Sequence, residues 1–465
     1  MSAFVANARS YAMPSLLRRN LRLCTLDGLT SMPIVYLLQP GNLVAAALLT
    51  GFYDLSPAIY GLIVSLPFWC NFLQIGAAPA VSKLLRPRAV AVASATAGAI
   101  VWTAVGASLW WLPPSASELS GHWFIAFFAA LGMTGAFATV GWTSWVQEWI
   151  PDRLRGKYFG VRNQLLQFAT VAFLLSVGWL FQQLHRSALA FQIVIFGSVA
   201  LRVASVVLQQ RTVTPILRSQ TESTLSWGEQ FKLLPRSFFW FVAFGAVWGF
   251  AANCIGPFYT VFMYRQLNMS VNAVSWLAIL SGVGGGLTYP VWGKLADRFG
   301  NKPVMIFSLI AWQLQNFLWC ILTRNSSWIL YGMWLFGGLM SAGFILGLFN
   351  ILLRLIPPEA KTLSISFNLA ITSLVTAVAP MFGGWLLERL LDSGADPLRT
   401  YHQLFLIQPV VALLACSIMW RVHEPQASPL SSVVGAMRNV RTLAAVFGLT
   451  FLINFVFVKN PKKQR

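Results

Sequence analysis

The chain has 465 residues, of which 57% are hydrophobic and 10% charged, against about 25% charged in an ordinary soluble domain. A mean hydropathy of +0.66, with 20 Trp and 35 Phe, leaves too little polar surface for a water-soluble enzyme. The net charge of +20 is spread between apolar runs, which indicates membrane topology and not a nucleic-acid surface.

Twelve apolar runs, each at least as long as the roughly 20 residues that a membrane helix needs, predict an all-α polytopic membrane protein. We expect twelve transmembrane helices in two pseudo-symmetric six-helix bundles. The runs fall at 23–52, 57–82, 89–112, 122–150, 157–184, 188–210, 238–264, 271–293, 303–323, 327–356, 363–388 and 400–420.

One long polar connection, 209–236, separates six runs from six. The predicted organisation is a basic cytoplasmic N-terminus (1–22), an N-terminal bundle (23–211), a cytoplasmic linker (212–236), a C-terminal bundle (237–422) and a tail (423–465). The tail holds an apolar run at 442–458 with four basic residues after it. A crossing would carry those charges outward, so we expect an interfacial or docked helix, with a thirteenth span as the alternative.

The loops indicate the orientation, because Lys and Arg concentrate on the cytoplasmic side of membrane proteins. With the N-terminus inside, most basic residues between spans face the cytoplasm. The other side receives only Arg186, Arg265, Arg324, Arg389 and Arg399. We therefore predict a multi-pass protein of the inner (plasma) membrane with a cytoplasmic N-terminus.

The two halves of the sequence repeat each other. Residues 141–160 align with 347–366 at a constant offset, so that the Ile-Pro pairs at 150–151 and 356–357 coincide. The loop at 82–90 is a shortened counterpart of 293–304 (GKLADRFGNKPV). Such internal repeats are typical of secondary transporters.

The longer loop resembles the signature loop of the major facilitator superfamily, and the resemblance covers about 21–421. The matching positions are Gly293, Asp297, Arg298, Gly300 and Lys302. The run RGKYFGVRN at 155–163 also resembles the start of span 5 in a bacterial subgroup of that superfamily. The resemblance implies a transporter with two halves and a gate on the inner face.

The gate hypotheses concern charges on that face. Asp297 either holds the start of span 5 near Arg155 and Gly156, or pairs locally with Arg298 or Lys302. The shorter loop has no acid between 83 and 88, so we expect the two halves to lock unequally.

Two further charges, Glu148 and Arg354, occupy aligned positions. They either pair with each other across the gate or bind within their own halves, Glu148 to Arg153 or Arg155 and Arg354 to Glu359.

Ionisable residues inside a span are costly and mark functional pathways by default. Asp27, in the first turn of span 1, is the candidate for proton coupling, with helix capping as the alternative. Arg202, in the last third of span 6, is expected to extend to the inner surface.

The substrate candidates are uncharged polar and aromatic residues. The resemblance implies that spans 1, 4, 7 and 10 line a central cavity, and aromatic faces with amides suit a polyhydroxylated or aromatic solute. The candidates are Trp142, Ser144, Trp145, Asn253, Tyr259 and Asn350, with Gln74, Gln164 and Gln167 from neighbouring spans. Each tryptophan has packing in the core or against lipid as its alternative.

These patterns favour a secondary active transporter of a small organic solute, such as a sugar or similar polar metabolite, that works by alternating access with H⁺ as the hypothetical coupling ion. The alternatives are a flippase or exporter of an amphipathic or lipid-like compound and, from another class, an integral-membrane transferase. The four histidines and the few acids form no catalytic cluster, and no phosphate-binding loop occurs. We expect no enzyme activity, catalytic residue, cofactor, metal or nucleic-acid partner. We expect a monomer in the lipid bilayer.

Overall fold

The computed structural model describes residues 2–84, 86–114, 117–150, 152–184, 187–213, 227–357, 360–424 and 428–438. Side chains are described for these residues except 2–14, 73–84, 117, 147–148, 152–157, 160, 227, 361–362, 436 and 438. The predicted tail helix at 442–458 lies outside them.

The described part of the chain is helical and contains no strand. Its helices are α1 Ser2–Leu38, α2 Leu43–Ala46, α3 Pro57–Leu84, α4 Pro87–Ser108, α5 Ser117–Trp149, α6 Asp152–Leu184, α7 Ala188–Arg211, α8 Trp227–Lys232, α9 Arg236–Arg265, α10 Val271–Phe299, α11 Asn301–Asn316, α12 Ile329–Leu355, α13 Lys361–Asp392, α14 Pro397–Phe405, α15 Ile407–Ala415 and α16 Leu430–Arg438. A π-helical turn, Ala47–Phe52, continues α2, and 3₁₀ turns occupy Phe317–Ile321, Arg324–Ser326 and Ile418–Arg421.

Within the described residues, eleven helical stretches are long and apolar enough to cross a membrane. The last of them, Pro397–Arg421, combines α14, α15 and a 3₁₀ turn. The 28-residue α3, which is apolar over Pro57–Phe72, completes the set of twelve. The predicted twelve-helix membrane fold is confirmed.

The first span departs from the prediction of one run over 23–52. Helix α1 ends at Leu38, and the chain turns through Pro40 and Gly41, whose φ of +69° favours glycine. Asn42 then caps α2, since its Oδ1 accepts hydrogen bonds from the backbone N–H of Val44 and Ala45 at 3.1 and 2.9 Å. The apolar run at 23–52 is therefore divided between two helical segments, because a proline and a glycine end the first helix inside the run.

The chain folds into two compact units. The first combines Met1–Thr224, Gly249–Trp276 and Ser366–Leu404, and the second combines Leu225–Trp248, Leu277–Ile365 and Phe405–Arg465. A cluster around Cys24, Trp145 and Trp149 belongs to the core of the first unit. A cluster in the core of the second unit includes Phe244, Met305, Leu309, Phe344 and Met419. The six-plus-six division of the sequence stays a prediction.

One contact recurs in both units and reflects the internal repeat. Near the start of α4 in the first unit, Arg88 donates a hydrogen bond to the main-chain carbonyl of Gln210. Near the start of α11 in the second unit, Lys302 donates from Nζ to the carbonyl of Val422 at 2.8 Å. The basic residues of the two related loops thus have equivalent partners, at the ends of the sixth and twelfth spans.

Candidate functional site

A buried carboxylate lies inside the first unit. Asp27 on α1 is 4% exposed, and its side chain accepts three hydrogen bonds from neutral donors. Trp142 Nε1 donates to Oδ2 at 3.1 Å, while Ser205 Oγ and Gln209 Nε2 donate to Oδ1 at 2.6 and 3.0 Å. Ser205 and Gln209 are one helical turn apart, so they project from one face of α7. A buried charge needs such partners.

Two arginines flank this carboxylate. Arg162 on α6 is 9% exposed, and its guanidinium lies 4.7 Å from the centre of the Trp142 ring, a cation–π distance. Its Nε donates to the carbonyl of Cys24 at 3.4 Å. On α7, Arg202 donates from Nη1 to Ser205 Oγ at 3.3 Å and is within electrostatic range of Asp27. Arg202 was expected to extend to the inner surface, but its guanidinium instead contacts Ser205 beside Asp27.

Glycine at position 28 makes room for Arg162. A Cβ atom there would lie 2.5 Å from Arg162 Nη2 and 2.9 Å from Cζ, closer than side-chain atoms approach one another. The guanidinium therefore rests on the backbone of α1, beside Asp27.

These groups line a cavity of about 330 Å³ within the first unit, formed by α1, α4, α5, α6 and α7. Its charged and amide side chains come from Asp27, Arg162, Arg202 and Gln209. Farther along α1 the lining is apolar, with Leu38 among its residues. Asp27 and Leu38 are eleven positions apart, or about 16 Å along a helix. The volume is in the range of small-molecule sites.

A second polar cluster lies in the second unit, around Glu424. Its side chain is 3% exposed and pairs with Arg354, whose Nη1 lies 2.8 Å from Oε1. The same carboxylate accepts from the backbone N–H of Asn301 and Lys302, at 3.1 and 2.7 Å, and from Asn301 Nδ2 at 3.0 Å. Because the preceding residue, Gly300, has φ +95° and no side-chain cap, Glu424 supplies the negative charge favoured at the start of α11.

A third set of contacts closes one end of the first unit, where the loop between α2 and α3 lies. We call this the first-loop end. Arg265, at the end of α9, donates to the carbonyls of Thr50 and Leu55 at 3.1 Å each and pairs with Asp54 at 2.5 Å. Glu388 on α13 accepts from the backbone N–H of Ala58 at 2.7 Å. These charges complement the nearby ends of the π-helical turn and of α3.

The backbones of α3 and α13 also approach closely at this end. A Cβ at Gly61 would meet the carbonyl oxygen of Pro380, and one at Gly384 would meet that of Pro57, both inside the 3.0 Å limit of real Cβ contacts. Only glycine allows this crossing.

Of the predicted substrate residues, Trp142 lines the cavity beside Asp27. Asn350 instead donates to Asn301 Oδ1 at 2.9 Å, within the Glu424 cluster, and Trp145 is a buried core residue. The remaining candidates with described side chains do not line this cavity. Ser144, Gln164 and Gln167 are exposed, Asn253 and Tyr259 lie half-buried on α9, and the side chain of Gln74 is outside the described ones.

The predicted gate residues are only partly described. Asp297 is exposed and forms no ion pair with Arg298 or Lys302. The side chains at 155 and 148 are outside the described set, so the hypotheses about Arg155, Gly156 and Glu148 stay predictions. For Arg354, the partner within its own unit is Glu424.

Sequence reasoning missed Arg162 and Glu424. The signal for Arg162 was its position one and a half turns inside the predicted fifth span, where a charge is costly. The signal for Glu424 was the scarcity of acids, 13 against 33 basic residues. Among the described residues, no group of His, Cys, Asp and Glu could hold a metal ion.

Two known transport proteins are similar in sequence to part of this chain. The "Probable multidrug resistance protein EmrY" of Escherichia coli (strain K12) is 28% identical over 167 residues, 35% of this chain and 30% of that protein. The "MFS-type transporter TOXA" of Cochliobolus carbonum is 26% identical over 165 residues, 36% of this chain and 28% of that protein. The chain thus matches less than a third of the length of either relative.

Among solved structures, the crystal structure of a D-xylose-proton symporter superposes with a TM-score of 0.65 at 14% identity, covering 88% of this chain and 99% of the other. A family model described as "Major Facilitator Superfamily" matches residues 246–459. The matched segment is a little under half of the chain and contains the loop at 293–302. The family inferred from the loop at 293–302 is confirmed, whereas the bacterial subgroup suggested by 155–163 stays a prediction.

Proposed function

We propose that this superfamily member is a secondary active transporter that moves a small organic solute by alternating access and couples the movement to protons at Asp27. The observation that carries the proposal is a carboxylate 4% exposed in the wall of a cavity inside a membrane-spanning unit. A group held at such cost in a span is a functional candidate.

The first-loop end supports alternating access. Its closure depends on the crossing of α3 and α13, which two glycines allow, and on charges that complement helix ends. These are local contacts between side chains and backbone, and they can separate without unfolding the helices. In the proposed topology this end faces outward, the N-terminus is cytoplasmic, and the protein is a monomer in the inner (plasma) membrane.

The hydrogen bonds of Asp27 support its role as a proton site. Trp142, Ser205 and Gln209 come from α5 and α7 and all donate to the carboxylate. Protonation would remove the charge that these donors stabilise, and the hydroxyl of Ser205 can reverse its role because it also accepts. A change of protonation can therefore loosen α1 from α5 and α7, a means of coupling a proton to helix movement.

The solute class follows from the cavity. A polar metabolite such as a sugar fits the groups around Asp27, whereas the apolar lining farther along α1 favours a second candidate, an exporter or flippase of an amphipathic compound. We propose binding and the transfer of a single proton at this site, and no catalytic chemistry.

Reconstituted vesicles test the coupling. Solute counterflow is compared with flux driven by an imposed pH gradient, for the parent protein and Asp27→Asn. We expect the gradient to drive uptake by the parent protein, and the variant to retain exchange but lose the response to the gradient. Solute flux that is unchanged both by the gradient and by Asp27→Asn would exclude proton coupling at this residue.

A further inference from the structure

The cavity in the first unit carries an excess of positive charge. Its ionisable lining side chains are Asp27, Arg162 and Arg202, so two positive groups face one negative group. The formal charge is +1 with Asp27 ionised and +2 with Asp27 protonated. Charges inside a protein are normally compensated, because an unpaired buried charge is costly.

Asp27 does not supply that compensation by direct pairing. Its oxygens accept from Trp142, Ser205 and Gln209, and none of the ion pairs between described residues includes it. Arg162 has five N–H donors, yet its hydrogen bonds to described residues go to Cys24 alone, to the carbonyl from Nε at 3.4 Å and to the thiol. The terminal nitrogens of Arg162 are thus available to a ligand with acceptor oxygens.

A buried acceptor stands beside these donors. Gln209 is 3% exposed and lines the same cavity, and its Oε1 has no hydrogen-bond partner among the described groups. A buried acceptor without a donor is unusual in a native structure. It suggests a ligand or water that donates here while its acceptor oxygens meet the arginines.

The two ends of the cavity differ in polarity. Arg162, Arg202, Gln209 and Asp27 lie toward one end of the lining helices, and Leu38, Trp102 and Leu131 lie toward the other. About 16 Å of helix separates positions 27 and 38. A solute filling 330 Å³ along this length would place a charged group among the arginines and an apolar body against Leu38 and Trp102.

We infer that the solute is an amphipathic organic monoanion, a carboxylate with an aromatic or alkyl body, whose charged group binds Arg162 and Arg202. This inference rests on the proposed transport function and names its substrate class. It favours a carboxylate over an uncharged sugar, because a carboxylate lowers the positive charge of the cavity by one in either protonation state of Asp27, whereas a sugar leaves it unchanged.

The inference also fixes the sign of the coupling. The charged and titratable groups around Asp27 are Arg202 on α7, Arg162 and Tyr158 on α6, and the Cys24 thiol on α1 itself. With Asp27 protonated, the two arginines lose a negative neighbour and attract an anion more strongly. Anion and proton therefore bind cooperatively, as symport of both requires, and each raises the affinity for the other by the same factor.

Binding to the purified full-length protein tests this without transport. The probes are 3-phenylpropionate, its neutral amide and the cationic 3-phenylpropylamine, which share one body and differ in charge, together with octanoate and acetate. Calorimetry at pH 8 and pH 6 measures affinity, and both pH values keep the carboxylate probes ionised. We expect the phenylpropionate and octanoate anions to bind, the amide and the amine to bind far more weakly, and acetate to bind weakly for lack of an apolar body.

The variants assign the site. Arg162→Gln should weaken the binding of 3-phenylpropionate roughly 30-fold or more, while Arg162→Lys should retain part of the affinity. The control Arg324→Gln, at an exposed arginine, should retain the full affinity. The parent should bind up to about tenfold tighter per unit fall in pH, and Asp27→Asn should bind tightly at both pH values. Melting temperatures check that each variant is folded.

Two results would overturn the inference. One is equal affinity for the anion and its amide, or no binding of either carboxylate by folded protein. The other is anion affinity that Arg162→Gln and Arg162→Lys leave unchanged. Anion binding with the expected pH dependence but no flux in vesicles would instead contradict the transport proposal and leave the anion site standing.

Discussion

Replacing Gly384 with alanine tests whether the first-loop end is a gate. The new Cβ would collide with the carbonyl oxygen of Pro57 and would lie 3.1 Å from its carbonyl carbon and 3.2 Å from Ala58 Cα. All three are backbone atoms that no rotamer change can move. In Gly384→Ala, α3 and α13 must therefore separate wherever this end is closed.

The size of the effect follows from the overpacking. Extra methyl groups in tightly packed sites cost about 1–3 kcal/mol. Alanine also favours a helix over glycine by about 1 kcal/mol, but that gain applies equally to the closed and open conformations. The overpacking cost acts on the closed conformation alone, so the ratio of closed to open protein should fall about 5- to 150-fold.

Distances between spin labels measure that ratio. Labels at Trp111→Cys and Ser393→Cys occupy exposed positions of the first unit, in a Cys320→Ser background because the other four native cysteines are buried. Gly384→Ala should shift the distance distribution toward longer separations. Gly256→Ala is the matched control, since its Cβ would meet nothing within 4 Å.

An unchanged distance distribution in folded Gly384→Ala would refute the gate. A lowered melting temperature with unchanged distances would mean that these glycines pack a permanent helix crossing.

Two further predictions concern the other clusters. Glu424→Ala leaves the first N–H groups of α11 and the Arg354 guanidinium without their acceptor. Because the Arg354 side chain is 55% exposed, water replaces its partner, and the buried N–H groups account for an expected loss of about 1–3 kcal/mol in thermal unfolding. Glu424→Gln retains one acceptor oxygen and should lose less, and equal losses would contradict the role of the carboxylate. Gly28→Ala should displace Arg162 and weaken 3-phenylpropionate binding in calorimetry without lowering the melting temperature much, whereas unchanged affinity would mean that the guanidinium position is unimportant.

The local pattern of the chain predicted the membrane fold well. Apolar runs near 20 residues must become helices in lipid, because each helix satisfies its own backbone hydrogen bonds. The loop at 293–302 and the aligned repeats predicted the superfamily. Asp27 was selected because an ionisable residue inside a span is costly. In the structure it is 4% exposed and lies in the cavity wall.

Sequence patterns predicted the ends of helices inside an apolar run less reliably. The first apolar run read as one span, although Pro40 and Gly41 end α1 and α2 begins anew. Hydropathy averages over such a turn, because the residues on both sides are equally apolar. The breaker residues themselves were the better signal.

The partners of each charge were decided by the tertiary structure alone. Asp27 meets groups 115 to 182 positions away, and Glu424 meets Asn301, 123 positions away. Helical periodicity states which face of one helix a residue occupies, but not which face of another helix it meets. Sequence therefore identified a costly carboxylate, and only the packing of α1 against α5, α6 and α7 joined it to two arginines in one cavity.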